Sequence, residues 1–168
     1  MRTRLYRSAA ILGVFLVGAG TCGAAAPSAA SPSAADALKL TPIQKGVDYD
    51  QVAADVAAQC TIAAKKVNGK VGWVVEDPSG TILRRFVDTN GDNTVDQWSY
   101  YKDGLEVYRD VDANFNRKAD QSRWFHTAGS RWGLDQNEDG TIDVWKAISA
   151  EELTAEVAGR LRALKADA

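Results

Sequence analysis

The stretch VDTNGDNTVDQW, residues 87–98, sets Asp88, Asn90 and Asp92 at alternate positions and Asp96 four residues further on. Taken singly it has the Asp, Asn and Gly of any polar turn. Two further stretches align with it, VDANFNRKADQS at 111–122 and LDQNEDGTIDVW at 134–145. The first Asp falls at 88, 112 and 135, so the periods are 24 and 23 residues. Periods of this length mark a repeated supersecondary unit. The residue before each first Asp is apolar (Val87, Val111, Leu134), and so is the residue before each last Asp (Val95, Ala119, Ile142). Each unit therefore reads as strand, solvated acidic loop, strand and tight turn.

Upstream, CTIAAKKVNGKVGWVV sets Asn68-Gly69 between two runs rich in β-branched residues. Asn-Gly accepts positive φ at both turn positions, which makes this a hairpin signal. EDPSGT turns the chain again before the strand TILRRFVD. Downstream, DQWSYY and LEVYRDV flank Lys102-Asp103-Gly104, DQSRWF and SRWGLD flank Thr127-Ala128-Gly129, and IDVWKAI closes the run. The expected fold is mainly β, an antiparallel meander of about eight short strands closed by one C-terminal helix. Ser149 and Glu152 form a capping box for that helix, and Leu153, Val157, Leu161 and Leu164 give it one apolar stripe, expected to pack on the sheet.

The loops carry the chemistry. A hard cation such as calcium takes six to eight oxygens in a flexible cage. In the first loop, side chains at positions 1, 3, 5 and 9 are Asp88, Asn90, Asp92 and Asp96, with the Thr94 carbonyl at position 7. In the third loop they are Asp135, Asn137, Asp139 and Asp143, with the Thr141 carbonyl. The second offers Asp112, Asn114, Asn116 and Asp120 with the Lys118 carbonyl, but only two carboxylates, and Arg117 stands where a sharp turn favours Gly. The third loop has Gly140 at that position and the first has Asn93, which tolerates the left-handed region. The expected order of sites is third, first, second.

This spacing, D-x-[DN]-x-[DN]-x-x-x-D, resembles the DxDxDG calcium loops of EF-hand-like, thrombospondin type 3, dockerin and integrin FG-GAP repeats. The FG-GAP form is nearest, because its loop joins two strands and closes at position 9. Ser99, Arg123 and Lys146 stand at position 12, where an EF-hand has Glu, so the resemblance implies strand-loop-strand sites. The span from Val71 to Glu152 also resembles small secreted bacterial proteins that carry this repeat; that likeness implies no activity.

The N-terminal residues read as an export signal. Arg2, Arg4 and Arg7 precede a short apolar run and then small residues, the order of a secretory signal. Residues 23–36 are almost all Ala, Ser and Pro, a composition that suits a flexible tether. The expected organisation is a signal over 1–30 (or a lipoprotein signal ending near 21, with Cys22 as the lipid acceptor), a tether over 31–47, a β-repeat domain over 48–149 and a helix over 150–166. Periplasm, cell envelope or extracellular space is the expected location. Cys60 is then the only thiol of the folded part, too few for a disulfide framework or a zinc cluster.

The 168 residues carry 20 basic and 22 acidic groups, and loss of the three N-terminal arginines leaves 17 against 22, a net charge of −5. No basic stripe interleaves with aromatics along the chain, so nucleic acid is not an expected partner. His126 is the only histidine; no nucleophile motif or phosphate loop accompanies it. The expectation is a non-catalytic calcium-binding protein with a structural or binding role, and no cofactor beyond the ion. Its rival is a β module that holds an envelope glycan or protein on exposed aromatics, with the loops serving only as turns. All five Trp (73, 98, 124, 132, 145) fall on expected strands, so the exposure of Trp98 and Trp145 separates the two.

Overall fold

The computed structural model describes residues 33–67, 69–152 and 154. Two one-turn helices, α1 (Ala34–Ala37) and α2 (Ala54–Ala57), precede eight strands: β1 (Thr61–Val67), β2 (Lys70–Glu76), β3 (Ile82–Val87), β4 (Gln97–Lys102), β5 (Leu105–Val111), β6 (Gln121–His126), β7 (Gly129–Leu134) and β8 (Val144–Ser149). They form one open antiparallel sheet in the order β1 to β8. Every strand pairs with its sequence neighbour, which is the expected meander.

Local chemistry sets the turns. Asp103 and Gly104 lie at φ +50° and +75° between the paired Lys102 and Leu105, both in the left-handed region that a two-residue hairpin needs. Gly129 admits no side chain, since a Cβ there would sit 2.3 Å from the Ile148 carbonyl oxygen. In the β2–β3 turn, Asp77 Oδ1 accepts from the Ser79 and Thr81 N–H groups at 2.8 and 2.9 Å.

The register separates two faces, because alternate residues of a strand point to opposite sides. One face carries Trp73 and Val75, Arg84 and Phe86, Trp98 and Tyr100, Tyr108 and Asp110, Ser122 and Trp124 on β2 to β6. The opposite face carries Val74, Arg85, Ser99, Arg109, Arg123, Trp132 and Lys146 in one line across the strands. The apolar core lies on the first face. Val75, Phe86 and Val95 pack there with Ala34 and Ala37, and Leu38, Leu40, Cys60 and Ile62 border them. Burial of a Val or Phe side chain contributes roughly 1.5–3 kcal/mol.

Residues 33–47 overlap the expected tether, and the structure places them on the sheet instead. Ser33 caps α1, and Ala34 and Ala37 are 7 % and 1 % exposed. The chain then crosses the first face: the Ile43 N–H donates to Asp110 Oδ2 at 3.1 Å, and the Tyr49 ring meets Tyr100 edge-on at 5.4 Å. Asp50 fastens the end of this arm. Its N–H donates to the Tyr101 carbonyl at 2.8 Å and its Oδ2 accepts the Asp103 N–H at 2.7 Å. Small side chains let the backbone lie close to the sheet, so a composition that suits a tether also suits tight packing.

The Ser149–Glu152 capping box forms, with the Ser149 N–H on Glu152 Oε2 at 2.8 Å and the Glu152 N–H on Ser149 Oγ at 3.2 Å. Leu153 and the rest of the expected apolar stripe lie outside the described residues, as do the expected signal and Cys22.

Candidate metal centre

The loops 88–96, 112–120 and 135–143 join β3 to β4, β5 to β6 and β7 to β8, so all three lie at one end of the sheet. Successive loops are two strands apart, about 10 Å. Main-chain bonds stitch them together: the Asp112 N–H donates to the Asp96 carbonyl at 2.8 Å, and the Asp135 N–H to the Asp120 carbonyl at 2.9 Å. Each loop also closes on itself, Asp96 N–H to Val87, Asp120 N–H to Val111 and Asp143 N–H to Leu134, at 2.9–3.0 Å.

Inside each loop the wiring repeats. The first Asp receives the N–H of position 6 on Oδ2: Asn93 to Asp88 at 2.9 Å, Arg117 to Asp112 at 2.6 Å, Gly140 to Asp135 at 2.7 Å. Its Oδ1 takes a second N–H, from Gly91, Asn116 and Asp139 respectively. Position 3 accepts the N–H of position 5 (Asn90, Asn114, Asn137), and position 5 accepts the N–H of position 7 (Asp92, Asn116, Asp139), at 2.8–3.1 Å. The closing Asp accepts the N–H of position 2: Thr89 to Asp96, Ala113 to Asp120 and Gln136 to Asp143, at 2.8–3.2 Å.

This wiring drives two positions of every loop to positive φ. Position 4 is Gly91, Phe115 or Glu138, at +87°, +63° and +57°. Position 6 is Asn93, Arg117 or Gly140, at +66°, +75° and +88°. Left-handed backbone costs a non-glycine residue on the order of 1–2 kcal/mol, and the chain keeps it at four such positions in these loops. The sequence marks position 6 through Gly140 and Asn93. Position 4 is marked in the first loop alone, by Gly91.

Burial is graded as the flanking apolar residues suggest. Asp88, Asp96, Asp112 and Asp135 are 1–5 % exposed, while Asp92, Asp139 and Asp143 are exposed. Val87 and Val95 are buried; Val111, Ala119, Leu134 and Ile142 are half-buried. The Asn90 amide, and then the Thr94 N–H, hold the Asp92 carboxyl below the ordinary carboxylate range. Burial pushes Asp120 up.

The second loop has a feature that sequence reasoning missed. Glu138, at position 4 of the third loop, accepts from the amides of Asn114 (2.9 Å) and Asn116 and lies 3.5 Å from Lys118 Nζ. These contacts, the Asn114 amide first, lower its carboxyl. The weakest copy thus receives a carboxylate from its neighbour, through residues 22 and 24 positions apart that carry no local signal.

The donor set is oxygen throughout, from carboxylate, amide and main-chain carbonyl, and suits a hard cation such as calcium rather than zinc. Oxygens that already accept an N–H keep a second lone pair. Among the described residues no group of three or more His, Cys, Asp or Glu side chains converges to hold a metal ion. Backbone N–H groups already supply part of the charge compensation at position 1 of each loop.

The aromatics divide between the rival expectations. Trp98 borders the core and is half-buried, whereas Trp145 is 50 % exposed. Tyr100 and Tyr108 fill the interior instead, at 2 % and 0 % exposure. His126 lies exposed at the end of β6, where its Nδ1 accepts the N–H of the turn residue Ala128 at 3.2 Å. No protein-family model, curated protein or solved structure matches the chain.

Proposed function

We propose that this is an exported or envelope-attached calcium-binding repeat protein with a structural and binding role and no catalysis. The observation that supports it best is the threefold recurrence of one strained, oxygen-lined loop. A turn needs no positive φ at Phe115, Glu138 or Arg117. Strain of this kind persists where the surroundings over-determine it, and it gathers at ligand clamps. Two loops present three carboxylates each on neighbouring turns of backbone, and a divalent ion would relieve their mutual repulsion. Calcium would join the Asp, Asn and main-chain oxygens of each loop and hold β3 to β4, β5 to β6 and β7 to β8 at one end.

Extracellular calcium modules bind with constants on the order of 10⁻⁴ to 10⁻³ M. Binding to the folded loops alone would then add about 1.4–2.7 kcal/mol per site at about 10 mM calcium. A thermal melt in 10 mM calcium should therefore exceed one in chelator by several degrees. Asp135→Asn combined with Asp143→Asn should abolish the third loop's share of that difference, about a third for three equal sites. Equal midpoints with calcium and with chelator would sink the proposal.

A further inference from the structure

Two arginines on the first sheet face are seated alike and completed differently. Cross-strand partners set Arg84, Tyr100, Tyr108, Trp124 and Arg131 in one row over β3 to β7, and Trp145 stands on β8 in the row beside it. The rings form a ladder: Tyr100 to Tyr108 at 5.8 Å, Tyr108 to Trp124 at 5.0 Å and Trp124 to Trp145 at 5.2 Å. A guanidinium lies over two rings at each end. Arg84 is 4.5 Å from the Tyr49 ring and 5.3 Å from Tyr100, and Arg131 is 4.9 Å from Trp124 and 4.5 Å from Trp145. At the Arg84 end the arm finishes the seat. It brings the Tyr49 ring and the Asp50 carbonyl, which accepts from Arg84 Nη2 at 2.9 Å, and Arg84 is 1 % exposed. At the other end Arg131 and Ala147 are exposed and Trp145 is 50 % exposed. Among the described residues the Arg131 guanidinium has its two ring contacts and neither a hydrogen bond nor an ion pair. A planar guanidinium held on rings presents a fixed fork of N–H donors, here with no protein acceptor.

We propose that the Trp124–Arg131–Trp145 end of the ladder binds a short peptide segment of another polypeptide in which an aromatic residue adjoins a carboxylate, the carboxylate on the Arg131 fork and the ring beside Trp145. The arm shows this mode of binding on the same face. Its Tyr49, between Asp48 and Asp50 in sequence, lies on Arg84 and Tyr100 while a peptide oxygen takes the guanidinium. Charge complementarity selects the carboxylate, because Arg131 is an exposed cation without an ion pair. The Trp124 and Trp145 rings are tilted by 39° and give no flat platform for a sugar ring, and Gly133 and Ala147 beside them bring no polar side chain for its hydroxyl groups. A bilayer surface needs a broad apolar face, whereas here a charge stands over the two indoles.

The test is titration of the full chain with a synthetic peptide of residues 46–52, GVDYDQV, whose tyrosine lies between two carboxylates. None of these contacts uses a loop oxygen, so the titration is run in chelator, apart from any calcium binding. Binding should be saturable and should weaken when salt rises from about 0.02 to 0.2 M, because exposed charges are screened. Arg131→Gln should weaken it about tenfold, the order of a lost hydrogen bond to a charged group, and Trp145→Ala about fivefold. Both replace exposed side chains, and either carries the test if the other does not fold. Lys146→Gln, on the opposite face, should leave the affinity unchanged. In the peptide, Tyr49→Ala, or Asp48→Asn with Asp50→Asn, should weaken binding as well. No saturable binding up to about 1 mM peptide would overturn the proposal. Equal affinity in Arg131→Gln and Trp145→Ala, the result if the peptide merely displaces the arm from its own seat, would do the same. So would tighter Arg131-dependent binding of trigalacturonate or of anionic vesicles, or an Arg131-dependent dimer of the chain that added peptide leaves intact.

Discussion

The Asp110 carboxyl is 2 % exposed and accepts three hydrogen bonds. Tyr108 Oη donates to Oδ1 at 2.5 Å, Ser122 Oγ to the same oxygen at 3.2 Å, and the Ile43 N–H of the arm to Oδ2 at 3.1 Å. Burial outweighs these donors and pushes its pKa up to about 6. A carboxyl whose pKa is higher folded than unfolded binds protons more tightly in the folded state. Its contribution is fully present below the unfolded value near 4 and is lost as pH rises through 6. The loss over that window is about 3 kcal/mol, at 1.36 kcal/mol per pH unit. Asp110→Asn removes this dependence. Urea unfolding at pH 4, 5, 6 and 7 should show wild-type stability falling relative to the variant, with the gap closed by pH 7 or reversed. Parallel pH profiles would refute the assignment. Arg84 is the neighbouring case of the opposite sign. It is 1 % exposed and lies over Tyr49 and Tyr100, with its Nη groups on the Leu83 and Asp50 carbonyls, and burial lowers its pKa.

At the scale of elements, the loops invite a direct test of strain. Phe115 holds φ +63° and is 48 % exposed, so its ring contributes little burial to set against the left-handed backbone. Phe115→Gly should stabilise the protein by about 1 kcal/mol, once the extra freedom of glycine in the unfolded chain is subtracted, and raise the melting midpoint by about 4 °C. Gly91→Ala, at φ +87° and the equivalent position, should cost a similar amount. An unchanged midpoint in both would mean that the loops relax without the strain. The strands and turns were legible because their signals are local: alternation within six or seven residues, Asp103-Gly104 at a turn, Ser149 three residues before Glu152. The arm was not legible. Whether Ala34 and Ala37 pack depends on Val75 and Phe86, far along the chain, and Ile43 finds its partner 67 residues away. Of the candidate site, the repeat and its register were readable, because oxygen-bearing side chains at fixed spacing are local too. The Glu138 contact depends on how one loop lies against the next, and the position-4 strain has a glycine to mark it only in the first loop.

For the whole molecule, stability should be graded across the sheet. Each strand pairs only with its sequence neighbours, so cohesion passes from strand to strand, as in repeat arrays where each unit contacts only the next. The arm packs on the part of the sheet where Val75, Phe86, Tyr100 and Tyr108 are 0–2 % exposed, and beyond it only the Gln44 side chain is seen to reach the third loop, at 3.4 Å from the Gly140 carbonyl. No residue of β8 is buried, and Val144 and Trp145 are 37 % and 50 % exposed. Local opening draws on regions with few buried apolar contacts. Amide hydrogen exchange should therefore be slowest in β3 and β4 and fastest among the strands in β8 and the adjoining half of β7. Under the calcium proposal, protection at β8 should rise most when the ion is added, because the third loop ties β8 to β7 and no side chain of β8 is buried. Uniform protection across β2 to β8 would mean that the sheet opens only as one unit. Graded protection that calcium leaves unchanged would keep the gradient and remove the ion from the account.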